Sequence, residues 1–405
     1  MGSQHEHLIT AIDVGSAKTC AVVAEAMDSG LRYRGHGVAD SRGSRKGVIV
    51  ELDKAVAAIQ QAVEQAEDIA GAPIEHATIG IAGGHVRGIN CQGGVNFART
   101  REITRDEIRM AVDKARAIPL PADREILHLL PQEFILDDQW GIRDPLGMMG
   151  TRLEVRVHMV TAASSATQNV VTAVNRAGIH VDDTVFEPLA CADAVLRSDE
   201  REMGACLADI GAGSTDFIVF QDSSVAHTGV IPIGGDHFTS DLSVGLCTPM
   251  AEAEKIKRAY GNTVVTLIPE GNEVEVPSVG DRPSRLVQQR MVGEILEPRA
   301  RELFELLRDN LRHSGMLERC VAGIVISGGA SRLAGVQDAA ESVLRRPVRL
   351  AWPAPLPRMP AVLAEPEYAT ALGMVFYTHR ARIARGLQDE RWSSRLKALF
   401  ALKGA

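Results

Sequence analysis

One local pattern occurs twice in this chain, nearly two hundred residues apart. In each copy an apolar strand ends at an aspartate, a glycine turn follows, and a second strand returns. The copies read Asp13-Val-Gly15-Ser-Ala-Lys18-Thr19 and Asp209-Ile-Gly211-Ala-Gly213-Ser-Thr215-Asp216. A repeat of pattern at this spacing indicates duplicated structural units, and 405 residues suffice for two to four of them. We therefore expect an α/β protein with two lobes, each of which contributes one turn.

Each turn carries groups suited to binding phosphate. A glycine after an apolar strand lets the backbone turn tightly and bring its N–H groups up to phosphate oxygens. In the first turn Ser16 and Thr19 add hydroxyl donors, and Lys18 adds a positive charge. An aspartate at a strand end can hold Mg²⁺ through water, because that ion dehydrates reluctantly. The predicted phosphate-binding residues are Asp13, Gly15, Ser16, Lys18, Thr19, Asp209, Gly211, Gly213, Ser214 and Thr215, with Asp13 and Asp209 also predicted to hold Mg²⁺.

A single Asp-x-Gly turn would not indicate a nucleotide site, because such turns are common in hairpins. Two of them, each between two strands, favour a clamp on one nucleotide between two lobes. Neither turn fits Gly-x-x-x-x-Gly-Lys-Ser/Thr or Gly-x-Gly-x-x-Gly, which excludes two other nucleotide folds. A third element, Ile324-Val-Ile-Ser327-Gly328-Gly329-Ala330, ends an apolar strand in paired glycines. Alone it fits a plain strand-to-helix turn equally well, but after the two clamps it predicts a flat surface beneath a purine and ribose.

Composition excludes several classes of protein. Hydrophobic residues make up 45% of the chain and charged residues 24%, the balance of a soluble globular protein. The net charge of −8 argues against general nucleic-acid binding. The six cysteines are scattered without a Cys-x-x-Cys pair, so we interpret them as small buried residues in a reducing compartment. The polar N-terminus and the absence of long apolar runs predict a cytoplasmic protein that does not span a membrane.

The order of these motifs resembles that of the actin, sugar-kinase and heat-shock chaperone ATPase superfamily. Phe186-Glu187-Pro188 resembles its first connecting helix, and Ala369-Thr-Ala-Leu-Gly373 resembles its second. The resemblance implies that Glu187 positions the water that attacks ATP, although a Glu-Pro pair is also a common helix start. It further implies a set of adenosine-binding residues: Gly234, Glu254, Lys257, Gly328, Gly329 and Ala330. Glu254 and Lys257 would share a helix face, where a solvated charge pair would look the same.

Within that superfamily the chain resembles the FtsA family of bacterial cell-division actins. The likeness is densest at Ile79–His85, Leu130–Phe134, Asp144–Gly147 and Leu153–His158. It implies an actin-like fold of two RNase H-like domains around a nucleotide cleft, with an inserted α+β subdomain called 1C. Gly84 departs from the family, where serine is common at this position. The implied cofactors are ATP and Mg²⁺, and the implied partners are the C-terminal peptide of FtsZ, other copies of the chain in head-to-tail filaments, anionic lipid and other division proteins.

The resemblance also implies domain boundaries. Domain 1A would comprise residues 1–81, 162–200 and 366–380, and subdomain 1C would comprise 82–161. Domain 2A would comprise 201–240 and 319–365, and subdomain 2B would comprise 241–318. Residues 381–391 would form a linker, and residues 392–405 would form an amphipathic membrane-targeting helix.

The C-terminal segment has a helical pattern of its own. At roughly 100° per residue, its large apolar side chains fall on one side of a helix. Arg395 and Lys403 fall within that apolar arc, where long side chains can snorkel to lipid headgroups. Such a helix lies in a bilayer interface and is attracted to anionic lipid; the alternative is a terminal helix docked on its own core. The predicted membrane-contacting residues are Trp392, Arg395, Leu396, Lys397, Leu399, Phe400, Leu402 and Lys403.

A helix predicted over Arg285–His313 presents four arginines near Pro298: Arg285, Arg290, Arg299 and Arg301. The pattern alone favours a solvated amphipathic helix. The family resemblance implies instead that these arginines form a docking face for the FtsZ peptide.

These features predict an ATP-binding division actin that polymerises and tethers the FtsZ ring to the inner face of the cytoplasmic membrane. It would also help to recruit later division proteins. ATP would act mainly as a conformational ligand with at most slow hydrolysis. The alternatives are a PilM-like pilus-assembly actin, which would lack the terminal amphipathic helix, and a superfamily kinase, which would need a catalytic aspartate in a substrate cleft. A chaperone ATPase would need a further substrate-binding domain.

Overall fold

The structure is a computed structural model that describes residues 7–28, 30–280 and 282–384. Its strands are β1 (Leu8–Val14), β2 (Lys18–Met27), β3 (Gly30–Asp40), β4 (Ser44–Arg45), β5 (Val48–Ile49), β6 (His76–Ile81), β7 (Arg87–Glu102), β8 (Arg124–Leu136), β9 (Gln139–Ile142), β10 (Met149–Ala163), β11 (His180–Phe186), β12 (Ala205–Ile210), β13 (Thr215–Gln221), β14 (Ser224–Ile231), β15 (Glu273–Val276), β16 (Arg285–Gln288), β17 (Gly323–Ser327) and β18 (Val348–Leu350). Its α-helices are α1 (Leu52–Ala70), α2 (Arg105–Arg116), α3 (Ser164–Arg176), α4 (Glu187–Val195), α5 (Ser198–Met203), α6 (Gly235–Gly245), α7 (Met250–Tyr260), α8 (Gln289–His313), α9 (Val336–Leu344) and α10 (369–384).

Two five-stranded sheets repeat one topology. The first has the order β11-β6-β1-β2-β3 and the second has the order β14-β13-β12-β17-β18. In each, three successive antiparallel strands are extended by two parallel ones. The Asp-x-Gly turns join the first two strands of each antiparallel set, with Asp13 opposite Cys20 and Asp209 opposite Asp216. The predicted two-lobed fold with duplicated Asp-x-Gly turns is therefore confirmed.

Helix α1 covers the first sheet with an alanine-rich face. Its buried residues include Ala58, Ile59, Ala62 and Ala66, which recur at helical spacing. The helix lies so close to β3 that a Cβ at Gly37 would come within 1.8 Å of the carbonyl oxygen of Ala62. This contact explains why a strand as polar and glycine-rich as β3 belongs to the sheet.

The segment between β6 and α3 folds as a separate four-stranded sheet of order β7-β10-β8-β9, covered by α2. A capping box begins α2: the Thr104 N–H donates to the Glu107 carboxylate at 2.9 Å. The short strand β9 lies in the connection between β8 and β10. This inserted unit also touches the second sheet, where His158 Nε2 lies 2.9 Å from Thr228 Oγ1 on β14.

The prediction of one helix over Arg285–His313 is wrong at its start. The first four residues form β16, which pairs antiparallel with β15, and α8 begins at Gln289. Glu273–Val276 alternates polar exposed and apolar buried residues, as a half-buried strand does. Arg285–Gln288 pairs with it although its own sequence does not alternate. Pro298 lies inside α8. Arg285 is therefore not on the helix that carries Arg290, Arg299 and Arg301.

Helices α4 and α10 cross between the two lobes with almost no space between their backbones. A Cβ at Gly373 on α10 would lie 2.0 Å from the carbonyl oxygen of Ala190 on α4. Any larger residue at this position requires one helix to move. The two segments that resemble connecting helices thus meet at a glycine.

Helix α10 continues to residue 384, where the described part of the chain ends, so four residues of the predicted linker 381–391 are helical. The predicted membrane-contacting residues, Trp392 to Lys403, lie outside the described residues. Within the described residues, no helix is both long enough and apolar enough to cross a membrane.

Candidate functional site

A cleft of about 660 Å³ lies between the two sheets, where the Asp-x-Gly turns face each other. A Cβ at Gly213 in the second turn would come within 3.1 Å of Ser16 Oγ in the first. The predicted site residues that line this cleft are Asp13, Gly15, Ser16, Lys18, Glu187, Asp209, Gly211, Gly213, Ser214, Glu254, Lys257, Gly328, Gly329 and Ala330. One space therefore collects residues from five separate parts of the sequence.

Three of the predicted nucleotide-binding residues, all in the described part of the chain, do not line the cleft. Thr19 and Thr215 lie at the start of the returning strands, as second and first residue respectively, and are buried, with 1% of each residue exposed. The Thr19 hydroxyl pairs with Ser41 at 2.9 Å, and the Thr215 hydroxyl donates to the Ile233 carbonyl at 2.7 Å. Gly234 precedes α6, and its N–H donates to His237 Nδ1 at 3.1 Å. Each of these groups is used in holding the lobe together.

Four carboxyl groups converge on the cleft: Asp13 and Asp216, which are buried, and Glu187 and Asp209, which are partly buried. Burial raises the pKa of Asp13 from 3.8 to about 7, with Lys18 opposing the shift and Asp209 adding to it. Burial, followed by repulsion from Asp13, Asp216 and Asp209, raises the pKa of Glu187 well above its usual range. Burial likewise raises the pKa of Asp209. A divalent cation would stabilise the ionised form of such a cluster.

Lys18 is the cation nearest to these acids. Its ammonium lies 3.4 Å from Glu367 Oε2 and 3.4 Å from the centre of the Tyr368 ring. The Glu367 contact is longer than a good charge-assisted hydrogen bond, so the ammonium retains capacity to bind an anion in the cleft. Burial lowers the pKa of Lys18, and the Glu367 carboxylate opposes that shift most strongly.

Asp216 and Thr370 belong to the site although the sequence did not single them out. The Asp216 carboxylate accepts hydrogen bonds from the Gly83 N–H at 2.9 Å and the Ser214 hydroxyl at 2.8 Å. Burial raises the pKa of Asp216 to about 6, and both hydrogen bonds oppose the shift. The Thr370 hydroxyl donates to Asp209 Oδ2 at 2.8 Å. Asp216 ends the second Asp-x-Gly motif, and Thr370 lies in the segment that resembles the second connecting helix. Their place in these motifs was the sequence signal that could have identified them.

The other wall of the cleft is built around Lys257 on α7. Its ammonium donates to the Gly235 carbonyl at 3.0 Å and to Thr239 Oγ1 at 2.8 Å, and it pairs with Glu254 at 2.6 Å. Opposite it, Gly328 has a φ of +84°, which suits glycine. A Cβ there would lie 2.3 Å from Asp209 Oδ1. A side chain at position 328 would therefore clash with the cleft carboxylate, and the surface for a purine and ribose stays a prediction.

The four predicted docking arginines do not form an unpaired basic face. Arg290 pairs with Glu294 at 3.3 Å, and Arg301 pairs with Glu297 at 3.6 Å. Arg299 makes two hydrogen bonds to Asp241 on α6, at 2.7 and 3.0 Å. Arg285 donates to the Leu246 carbonyl. The surface near Pro298 is a groove of about 410 Å³ lined by Val265, Glu294, Glu297, Pro298, Arg301, Glu302 and Glu305.

Comparison with known proteins agrees with this architecture. A family model described as "Cell division protein FtsA" matches residues 206–373, and one described as the SHS2 domain inserted in FtsA matches residues 83–161. The cell division protein FtsA of Pseudomonas aeruginosa is 42% identical over 375 residues, which cover 92% of this chain and 90% of that protein.

Two solved structures share the fold at low identity. A chain of the PilM–PilN type IV pilus biogenesis complex superposes with a TM-score of 0.66 at 17% identity, over 91% of this chain and 98% of that one. The MreB5 of Spiroplasma citri bound to ADP has a TM-score of 0.56 at 11% identity, over 94% of this chain and 98% of that one. At such identities the likeness concerns the fold alone.

The duplicated sheets, the cleft between them and the inserted sheet define an actin-like protein. The extent and identity of the sequence match decide which family of actin-like proteins the chain belongs to. They confirm the resemblance to the FtsA family that the motifs indicated. The chain belongs to the FtsA family of cell-division proteins.

The nucleotide-free protein should lose stability through Asp13 as the pH rises. A carboxyl whose pKa is raised on folding binds its proton more tightly in the folded chain, so its contribution to stability is fully present below 3.8 and is lost as the pH rises toward about 7. Asp13→Asn should therefore raise the free energy of unfolding at about pH 8 by on the order of 2 kcal/mol. Chemical denaturation without nucleotide measures it.

The difference between wild type and Asp13→Asn should shrink at about pH 5, where Asp13 is protonated. Asp113→Asn, at an exposed carboxyl on α2, is the matched control and should change little at either pH. A variant that is less stable than wild type at the higher pH would show that the Asp13 charge is not costly in the folded protein.

Proposed function

We propose that the cleft binds ATP with Mg²⁺. The observation that carries this proposal is the convergence of four buried or partly buried carboxyls and one incompletely hydrogen-bonded lysine between two glycine turns. Backbone N–H groups of the turns suit phosphate oxygens, and the carboxylates suit a hard dication that prefers oxygen ligands. The MreB5 structure bound to ADP supports the same use of this fold.

Each cleft residue has a proposed role. Ser16, Lys18 and Ser214 bind phosphate oxygens together with the backbone of Gly15, Gly211 and Gly213. Asp13 and Asp209 hold the Mg²⁺ ion through water. Glu187 stands over Gly80, where a Cβ would come within 2.7 Å of its Cγ. Burial and the neighbouring acids favour the protonated form of Glu187. A bound dication would favour its ionised form, in which it can orient a water and accept its proton.

Asp13→Asn and Glu187→Gln should separate binding from hydrolysis. Asp13→Asn removes a carboxylate that holds Mg²⁺ and should weaken Mg²⁺-dependent ATP binding by roughly tenfold or more. Glu187→Gln should leave ATP affinity within about twofold and slow hydrolysis by roughly 100-fold. Titration calorimetry with and without Mg²⁺, together with phosphate release, measures the two effects.

Asp113→Asn again serves as the control for both assays. We expect wild-type turnover below about 1 s⁻¹, the lower end of ordinary enzyme rates. Wild-type affinity in Asp13→Asn would contradict the Mg²⁺ assignment, and wild-type turnover in Glu187→Gln would contradict the water-positioning role.

We propose further that the protein polymerises and links FtsZ to the inner face of the cytoplasmic membrane, where it helps to recruit later division proteins. Membership of the FtsA family supports a role in division. The apolar and basic pattern of residues 392–405 supports a helix that lies in an anionic bilayer interface. The PilM-like alternative has only likeness of fold in its favour, because the PilM–PilN chain is 17% identical.

Truncation after Gly386 should abolish co-sedimentation with anionic liposomes, because it removes the apolar arc and the basic residues that would bind them. A full-length variant with Trp392→Glu and Phe400→Glu should show the same loss. Electron microscopy on an anionic lipid monolayer with ATP should show filaments only for the intact chain.

Both variants should bind ATP as wild type does, which would show that the rest of the chain is correctly folded. Undiminished liposome binding after truncation would place the membrane contact elsewhere in the protein.

We propose that the groove beside Pro298 receives the FtsZ C-terminal peptide. Arg301 is the lining cation, and its side chain is 63% exposed with a single acid at 3.6 Å. Arg299 is a poorer probe, because its two bonds to Asp241 connect α8 to α6. Charge reversal there would disturb the subdomain as well as the surface.

Arg301→Glu should weaken binding of the FtsZ peptide by roughly tenfold, measured by fluorescence anisotropy of a labelled peptide. Arg312→Glu, at an exposed position near the far end of the same helix, should bind as wild type does. Equal affinity of the two variants would argue against this groove.

A further inference from the structure

Two histidines and an aspartate meet at the end of the first sheet that lies away from the cleft. His76 begins β6, and His180 begins β11 with Asp182 two residues later. One ligand atom from each of the three lies within 4.8 Å of the other two. All three residues are exposed, so the cluster is open to an ion from solvent.

Strand pairing brings these residues together. Strands β6 and β11 are parallel, and His76 stands directly opposite His180. The register shifts between Val181 and Asp183, so Asp182 is the extra residue of a β-bulge. Bulges redirect side chains, and here Asp182 Oδ1 comes to 2.7 Å from His76 Nδ1. The two imidazole rings stand edge to face with their centres 5.1 Å apart.

A cation lies on the other side of the aspartate. Arg382 on α10 lies 4.0 Å from Asp182 Oδ2, and its other terminal nitrogen donates to the Leu8 carbonyl at 2.8 Å. A charged partner behind a ligating carboxylate is the usual support of a metal ligand. Oδ1 faces the histidines while Oδ2 faces the arginine, so the carboxylate is oriented for a ligand on the histidine side.

The donor set selects the kind of ion. Imidazole nitrogens suit zinc, nickel and copper, whereas Mg²⁺ prefers oxygen ligands. Three protein ligands leave a position for water in a tetrahedral site. The cluster is separate from the cleft, because His76 begins β6 whereas Gly80 and Ile81 near its end line the cleft, roughly 13–17 Å further along the strand.

We propose that His76, His180 and Asp182 bind a zinc-class dication. Bound there, the ion joins the edge strand β11 to β6 close to α10, and it stabilises the folded chain by mass action. The site does not depend on nucleotide in the cleft, and its function as a metal site does not require the ATP proposal to hold.

Calorimetric titration of the full-length, nucleotide-free protein with ZnCl₂ tests the proposal. The chain has 12 histidines, so Zn²⁺ could bind at more than one place. The location of the site is therefore decided by which variants lose one defined equivalent of bound Zn²⁺. Wild type should bind one equivalent that His76→Ala, His180→Ala and Asp182→Asn each weaken by roughly tenfold or more. The same Zn²⁺ concentration should raise the unfolding temperature of wild type but not of these variants.

His313→Ala, at an exposed histidine on α8, should bind Zn²⁺ as wild type does. MgCl₂ should neither bind at this site nor displace Zn²⁺. Absence of a saturable Zn²⁺ equivalent in wild type, or its persistence in the three ligand variants, would falsify the proposal.

Discussion

The concentration of negative charge between the two lobes is the constraint on which the rest of the structure depends. Asp13 comes from the first turn, Asp209 and Asp216 from the second, and Glu187 from the helix that connects the lobes. Burial of a carboxylate without a compensating charge is unfavourable, and the raised pKa values of all four groups record that cost. A cation and a set of N–H donors reduce it. The protein therefore carries local instability at the place where a ligand can relieve it.

The duplicated sheets account for how these acids come to face each other. Each turn lies at the end of a buried strand, so each aspartate is fixed by its sheet. The connecting helices α4 and α10 touch at Gly373 without room for a side chain. Thr370, one turn before that glycine, donates to Asp209. The same helix thus joins the lobes and holds one of the acids.

Parts of this arrangement were readable from the sequence and parts were not. The two strands that end in Asp-x-Gly can be predicted from their apolar composition. The start of α2 can be predicted from the capping box at Thr104, which is a local pattern. Strand β3 gives no clear local signal, because its sequence is polar and rich in glycine. The close approach of Gly37 to α1 depends on the fold. Residues 285–288 were assigned to a helix because their β pairing partner lies elsewhere in the chain. The cluster of His76, His180 and Asp182 forms only through the register of β6 with β11. That register cannot be read from the local sequence of either strand.

The inserted unit is attached to the cleft more directly than its position in the sequence indicates. Gly83, at its start, donates to Asp216 of the opposite lobe at 2.9 Å. His158, further into the unit, contacts Thr228 on β14. Strand β14 pairs with β13, which carries Asp216. Opening the cleft along this side must break or shift both contacts. The carboxylate of Asp216 therefore connects the cleft directly to the inserted unit.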